Sequence, residues 1–273
     1  MATNYYLGTG DWDETTSWSL GSVPVNAEDV LVDAGSYAIP GFDASAVDLT
    51  SLRIGAGFTG TLGSAASPMQ INAVTTYIVG SQGCYLRGAT GKLLQNVFID
   101  KRYAVDTPVQ IGGYISKVYA LRGNVTMAGD TALDGLTYVH VMHHGNPVND
   151  VRMKVEDGAV ISQLWIHGGM TTCSCALVGL YLIAGEVEHT KGTITLVEQH
   201  GGLIRWNANE TITGATLYAG KFDATDNKGG STAPTITNLT MYVNSLCDLR
   251  NGLNNIVIGG PTLYGSTGPL EDS

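Results

Sequence analysis

"LVGLYLIAG", Leu177 to Gly185, places an apolar residue, two fillers, another apolar residue, a spacer and a third apolar residue ahead of a glycine three positions later. The frame, apolar-x-x-apolar-x-apolar, returns along the chain. It is found in "LTSLRI" at Leu49, "LLQNVFI" with its frame at Leu94, "ISKVYA" at Ile115 and "LDGLTY" at Leu133. Further copies are "VNDVRM" at Val148, "ISQLWI" at Ile161, "ITGATL" at Ile212, "ITNLTM" at Ile236 and "LNNIVI" at Leu253, with a weaker one at Ile194. In the second half, starts lie between 13 residues apart (Val148 to Ile161) and 24 apart (Ile212 to Ile236). That spacing is too irregular for a leucine-rich repeat and too short for propeller blades of about 40 residues.

The last four positions of each copy alternate with period two and carry β-branched, aromatic or aliphatic residues, while Gly, Asn or Asp punctuates the ends. Each copy therefore predicts one short strand preceded by a turn. No segment sustains a 3.6-residue apolar period with caps, which argues against a doubly wound α/β fold. Short strands at a loose period of roughly 20 residues, without helices, are accommodated by coiling the chain so that each turn stacks on the last. The expectation is an all-β parallel β-helix (solenoid) whose first, fourth and sixth frame positions form internal ladders, Leu180 and Leu182 beside Leu164 and Ile166. The alternative is an antiparallel β-sandwich. Residues 1–45 differ from the rest and are expected to cap the solenoid, with 46–260 forming the repeat domain and 261–273 a C-terminal tail.

Composition narrows the function. The chain has 273 residues, 14 Lys plus Arg against 24 Asp plus Glu, a formal charge of −10, and 36 glycines. An acidic, charge-poor surface has little attraction for nucleic acid or anionic membranes. The N-terminus lacks a basic region followed by an apolar one, and no apolar run approaches the roughly 18 residues of a membrane span. Synthesis in the cytoplasm is expected. Four cysteines suit reduced structural thiols, and a bridge between Cys173 and Cys175 on one strand would be strained.

If frame positions four and six point inward, five and seven point out. Those slots hold Trp165 and His167, Tyr181 and Ile183, Glu198 and His200, and Thr216 and Tyr218. A stripe that mixes aromatics and aliphatics marks either a strip covered by loops or an interface between identical chains. Trp165, His167, Tyr181, Ile183 and Tyr218 are the candidate interface residues of a homotrimer.

Candidate chemistry is sparse. An inverting glycosidase sets two carboxyls about 6.5–9.5 Å apart. Glu186 and Glu188 on one strand, with Glu198 in the next copy, are the candidate catalytic carboxylates, and Glu156 with Asp157 forms an earlier pair. Trp165, Tyr181 and Trp206 offer sugar platforms. Solvated surface carboxylates account for the same pattern. His140, His143 and His144 in "HVMHHG" could share a metal only if the chain turned there, and no carboxylate or cysteine stands at ligand spacing, so no metal and no cofactor is expected. His167 and His200 share a frame position and could make an outer face pH-sensitive. Nucleophile elbows, phosphate loops and dinucleotide fingerprints are missing.

The stretch "GDWDETTSWSLGSVPVNAEDVLVDAG", Gly10 to Gly35, resembles the entry segment of β-helical surface proteins through Trp12, Trp18, Ser19, Val23, Pro24 and Asp29. The following "LRIGAGFTGTLGSAASPMQI", Leu52 to Ile71, is similar in style to phage-encoded β-helical virion proteins. The resemblance covers about the first quarter closely and the remainder only as a repeat style. It implies a bacteriophage virion structural protein, and the leading expectation is one without enzymatic activity. Such a chain would be a capsid decoration (cement) protein on the virion surface, partnered by the major capsid protein and attached through Tyr5, Tyr6, Trp12 and Trp18. The alternative it implies is a tailspike or fibre-like protein that binds or cleaves host envelope polysaccharide.

Overall fold

In the computed structural model, stacking of the repeat frames is direct. The structure describes residues 2–89, 93–101, 107–129, 138–142, 151–225, 233–250 and 256–264. Ile161, Leu164 and Ile166 stand in register with Leu177, Leu180 and Leu182, and these with Ile194, Val197 and Gln199. All nine are buried. Every ladder among the described strands is parallel, which excludes the sandwich, and the chain winds into a β-solenoid of about ten turns.

One sheet contains β1 (Thr3–Tyr5), β2 (Asp29–Val32), β3 (Asp43–Ile54), β5 (Met69–Ile78), β7 (Leu94–Asp100), β9 (Ile115–Met127), β10 (Tyr138–Val141), β12 (Ile161–Ile166), β14 (Leu177–Leu182) and β16 (Ile194–Gln199). It ends in β18 (Thr211–Asp223), β19 (Thr235–Asp248) and β20 (Val257–Tyr264). The second sheet contains β4 (Thr61–Leu62), β6 (Gly83–Gly88), β8 (Pro108–Gly113), β11 (Val151–Val155), β13 (Met170–Cys173), β15 (Glu186–His189) and β17 (Leu203–Trp206). The long strands β9, β18 and β19 turn the corner and serve both. The coil therefore has two strands where the repeat frame predicts one.

The corner explains the glycine that follows the frame. Gly169, Gly185, Gly202 and Gly220 all have positive φ, between 70° and 92°. They sit one above another: a methyl on Gly185 would lie 2.6 Å from the Gly169 carbonyl oxygen, and one on Gly202 would lie 2.4 Å from that of Gly185. Only glycine tolerates both the left-handed backbone and this approach. The Gln199 side chain seals the same corner from inside, its Nε2 amide donating to the carbonyls of Gly201, Gly202 and Lys221.

Three frames behave differently from the sequence expectation. In "LDGLTY" the sixth slot, Tyr138, faces outward beside Lys117, and Val139 and Val141 fill the core. In "LNNIVI" Ile258 registers with Ile236, the first frame position rather than the sixth. In "VNDVRM" Val151 and Met153 point inward, but on β11 of the second sheet. Leu133, Val148 and Leu253 lie outside the described residues. Leu136, Val139 and Val141 satisfy the frame as well as Leu133, Leu136 and Tyr138 do, so in "LDGLTY" a slip of three leaves the pattern intact.

The N-terminal segment packs its own aromatic cluster. Tyr6, Trp12 and Trp18 are buried, with Trp12 and Trp18 edge-to-face at 4.8 Å and Tyr6 against Phe58 at 6.1 Å. Trp18 Nε1 donates to the Trp12 carbonyl at 2.7 Å, and the Tyr6 hydroxyl donates to Gly10 at the same distance. The parallel ladder already runs through β2 in this segment and continues in β20 to residue 264, so it crosses the expected boundaries at 45 and 260. Pro261 in β20 has no amide proton, which restricts pairing by a further strand.

Some polar groups inside the coil, Asn72 and Lys101 among them, are tied to backbone, whereas the buried hydroxyls of Thr76 and Thr171 have no hydrogen-bond partner among the described residues. Lys101, fully buried, donates from Nζ to Gly80 at 2.6 Å and to Ser81 in an adjoining coil, while burial pushes its ammonium down to about 8.

Gly185→Ala is expected to cost about 2 kcal/mol, because it combines left-handed strain with a backbone clash. Equilibrium denaturant unfolding measures it, and Thr193→Ala, at an exposed position outside the strands, serves as the near-neutral reference.

Candidate functional site

The fifth frame position generates a column of rings. Tyr77, Phe98, Tyr119, His140, Trp165 and Tyr181 occupy one register position on successive coils. Parallel strands about 4.8 Å apart place like positions at stacking distance. Centroids follow at 5.1, 4.8, 5.1, 6.1 and 4.0 Å, with interplanar angles of 15° or less. Each such pair contributes about 0.5–1.5 kcal/mol beyond area burial.

A second column stands two residues further along the strand. His200, Tyr218, Tyr242 and Tyr264 stack at 4.6, 4.9 and 5.1 Å. His167 joins the columns, 6.0 Å from His140 and 6.5 Å from Trp165. The stripe therefore runs along one side of the solenoid from β5 to β20, interrupted at Glu198, which registers with Tyr181 and Thr216.

Ring placement depends on what lies beneath. Trp165 Nε1 donates to Gln163 Oε1 at 3.1 Å, fixing the indole toward the residue two positions back. Tyr181 leans the same way over Gly179, where an added methyl would meet the ring at 2.6 Å. Burial, then Glu198 and Tyr138, raise the Tyr181 phenol. Burial, then His167 and Lys117, hold the His140 imidazole below its usual range.

All five residues expected at an interface, Trp165, His167, Tyr181, Ile183 and Tyr218, lie on this face, divided between the two columns. The rings partly cover one another, so no loop is needed to explain why Trp165 and Tyr181 are half-buried. Tyr77, Phe98, Tyr119, Tyr242 and Tyr264 belong to the same stripe and were not singled out from the sequence. His140 was considered only as a metal ligand, yet it is a stacked member of the first column. His143 and His144 lie outside the described residues, and no group of three ligating side chains able to hold a metal occurs among the described ones.

The three candidate carboxylates do not converge. Glu186 and Glu188 lie on β15 in the second sheet, whereas Glu198 lies on β16 in the ring face. Arg205 Nε donates to Glu186 Oε1 at 2.7 Å, and Asn207 Nδ2 donates to Glu188 Oε1 at 3.0 Å. Glu198 is 3.9 Å from His200 Nε2. Glu156 is paired with Lys154 and Asp157 with Lys191. Trp206 is buried against Phe222 and offers no platform. Of the expected attachment residues, Tyr6, Trp12 and Trp18 are buried in the core of the N-terminal segment, while Tyr5 is 48% exposed.

A trough of about 310 Å³ runs across successive coils elsewhere, with Ala65, Pro68, Gly112 and Gly129 as small lining residues and Arg87, Gln110 and Glu156 as its polar groups. No family model, curated protein or solved structure matches the chain.

Gly179→Ala is expected to displace the Tyr181 ring from Trp165 while leaving the core intact. A changed Trp165 emission, compared with the same substitution in a Trp165→Phe background, measures the effect. Unaltered emission would show that the ring finds room without leaving the stack.

Proposed function

We propose that this chain is a non-enzymatic structural protein of a bacteriophage virion, a capsid decoration protein that self-associates through the ring stripe, as a homotrimer, and binds the major capsid protein. The observation that carries the association is the stripe itself: exposed apolar surface that continues over many coils is the kind of surface that interfaces cover. The phage assignment is supported by the resemblance in the first quarter of the chain. Its non-enzymatic character is supported by the divided carboxylates and their ion-pair and amide partners. Attachment to the shell through the cap draws on Tyr5 and the polar surface around it, since Tyr6, Trp12 and Trp18 are occupied in holding the cap together.

The ring geometry also weighs against a glycan platform on this face. Sugars stack on open ring faces, and here those faces are taken by neighbouring rings, leaving mostly edges outward. A tailspike-like reading is favoured instead by the trough beside Arg87, Gln110 and Glu156, whose amide, guanidinium and carboxylate suit hydroxyl groups. A glycan array separates the two readings, because a decoration protein gives no signal.

Trp165→Glu and Tyr181→Glu should each convert an assembled species to monomers or insoluble chain in sedimentation velocity. A soluble, intact trimer carrying both changes would remove the stripe from the interface. Immunogold labelling of virus particles with antibody against this chain should mark the head. Label confined to the tail would favour the spike reading.

A further inference from the structure

The histidines of the stripe are not equivalent. His140 lies between the rings of Tyr119 and Trp165, at 5.1 and 6.1 Å, and faces His167 at 6.0 Å. Its neighbours from β9 are Lys117 and Tyr119, from its own strand Tyr138, and from β12 Trp165. His167, directly after β12, faces His140 and Trp165. Among these described neighbours none is a carboxylate. His200, by contrast, stands 3.9 Å from Glu198 and stacks on Tyr218. A proton on His200 meets an anion; a proton on His140 or His167 meets a second imidazole and, at His140, an ammonium.

We infer that the His140–His167 pair is an acid-operated release within the self-association surface: protonation places like charges inside the mated ring stripes and separates the chains. The inference rests on the stripe being that surface. A mated stripe removes these imidazoles from water, so the assembled state binds fewer protons than the separated chains. Association then strengthens as pH rises through the imidazole range and weakens as pH falls through it. The partly buried His140 and its low-lying imidazole agree with this sign.

The test is sedimentation velocity of the full chain at constant ionic strength, at pH about 8 and about 5. It compares the native protein with a His140→Phe/His167→Phe double variant, which keeps flat rings in both positions. Assembly of the native chain should weaken by about tenfold or more per histidine at the lower pH, and the double variant should remain assembled. Native assembly that persists at low pH would overturn the release while leaving the stripe interface standing. A double variant that dissociates like the native chain would also overturn it. A native chain that is monomeric at pH about 8 would remove the interface and the release together. Circular dichroism at both pH values guards the comparison, since loss of the β signal at low pH would mean that unfolding, not release, separates the chains.

Discussion

Parallel coil-on-coil register is the constraint on which everything else in this molecule depends. When one strand lies directly over its equivalent, each side chain faces its counterpart at about the strand spacing. A column must then be chemically self-compatible. Leu164, Leu180, Val197 and Ala215 succeed one another inside the coil, in frames 16 to 18 residues apart, and Gly169, Gly185, Gly202 and Gly220 succeed one another at the corner. The corner column is the less forgiving. A core position accepts a change of volume at some cost in packing, whereas a corner residue with a Cβ meets the carbonyl of the coil before it.

The same rule sorts the outer surface. Columns of rings satisfy it by stacking, and charged positions satisfy it by pairing, Arg205 with Glu186 across coils and Lys221 with Asp223 along one strand. A column of like carboxylates would fail. This is why Glu186 and Glu188 carry basic or amide partners from the following coil, and why their geometry is that of a solvated, stabilised face. Rings segregate to one side and ion pairs to the other because each chemistry tolerates repetition only with its own complement.

Much of the fold is legible in the frame that begins at Leu177, because a core with three inward positions per strand imposes spacing that loops cannot mimic at every copy. The second sheet is not legible by the same means. Three of its strands, Met170–Cys173, Glu186–His189 and Leu203–Trp206, are four residues long, and they bury Thr171 and His189 alongside Val187 and Ile204. A buried polar residue hides the alternation. The coil at Ala73–Ile78 escapes notice for a like reason: Thr76 takes the fourth frame position and is fully buried. The ring column was half visible. Trp165 and Tyr181 stand out as outward slots, and Phe98 and Tyr119 hold the same slot in frames already recognised. That they touch depends on register, and register follows from coil lengths that vary along the chain.

The stripe's own stacking bears on how the proposed assembly would form. Phe98, Tyr119, His140, Trp165 and Tyr181 are each half-buried by neighbours within the same chain. An interface that existed only to hide these rings would leave them fully exposed in the separated molecule, and folding would wait on association. Here the solenoid satisfies much of that requirement alone. What an assembled state adds is removal of ring edges from water and exclusion of charge from the stripe. Both terms would be modest per coil and accumulate along the axis, so the strength of the proposed association would follow the number of coils in contact. A surface of that kind is sensitive to charge placed at its middle, where every neighbouring coil must part to hydrate it, and much less so at its ends. His140, Trp165 and His167 occupy that middle.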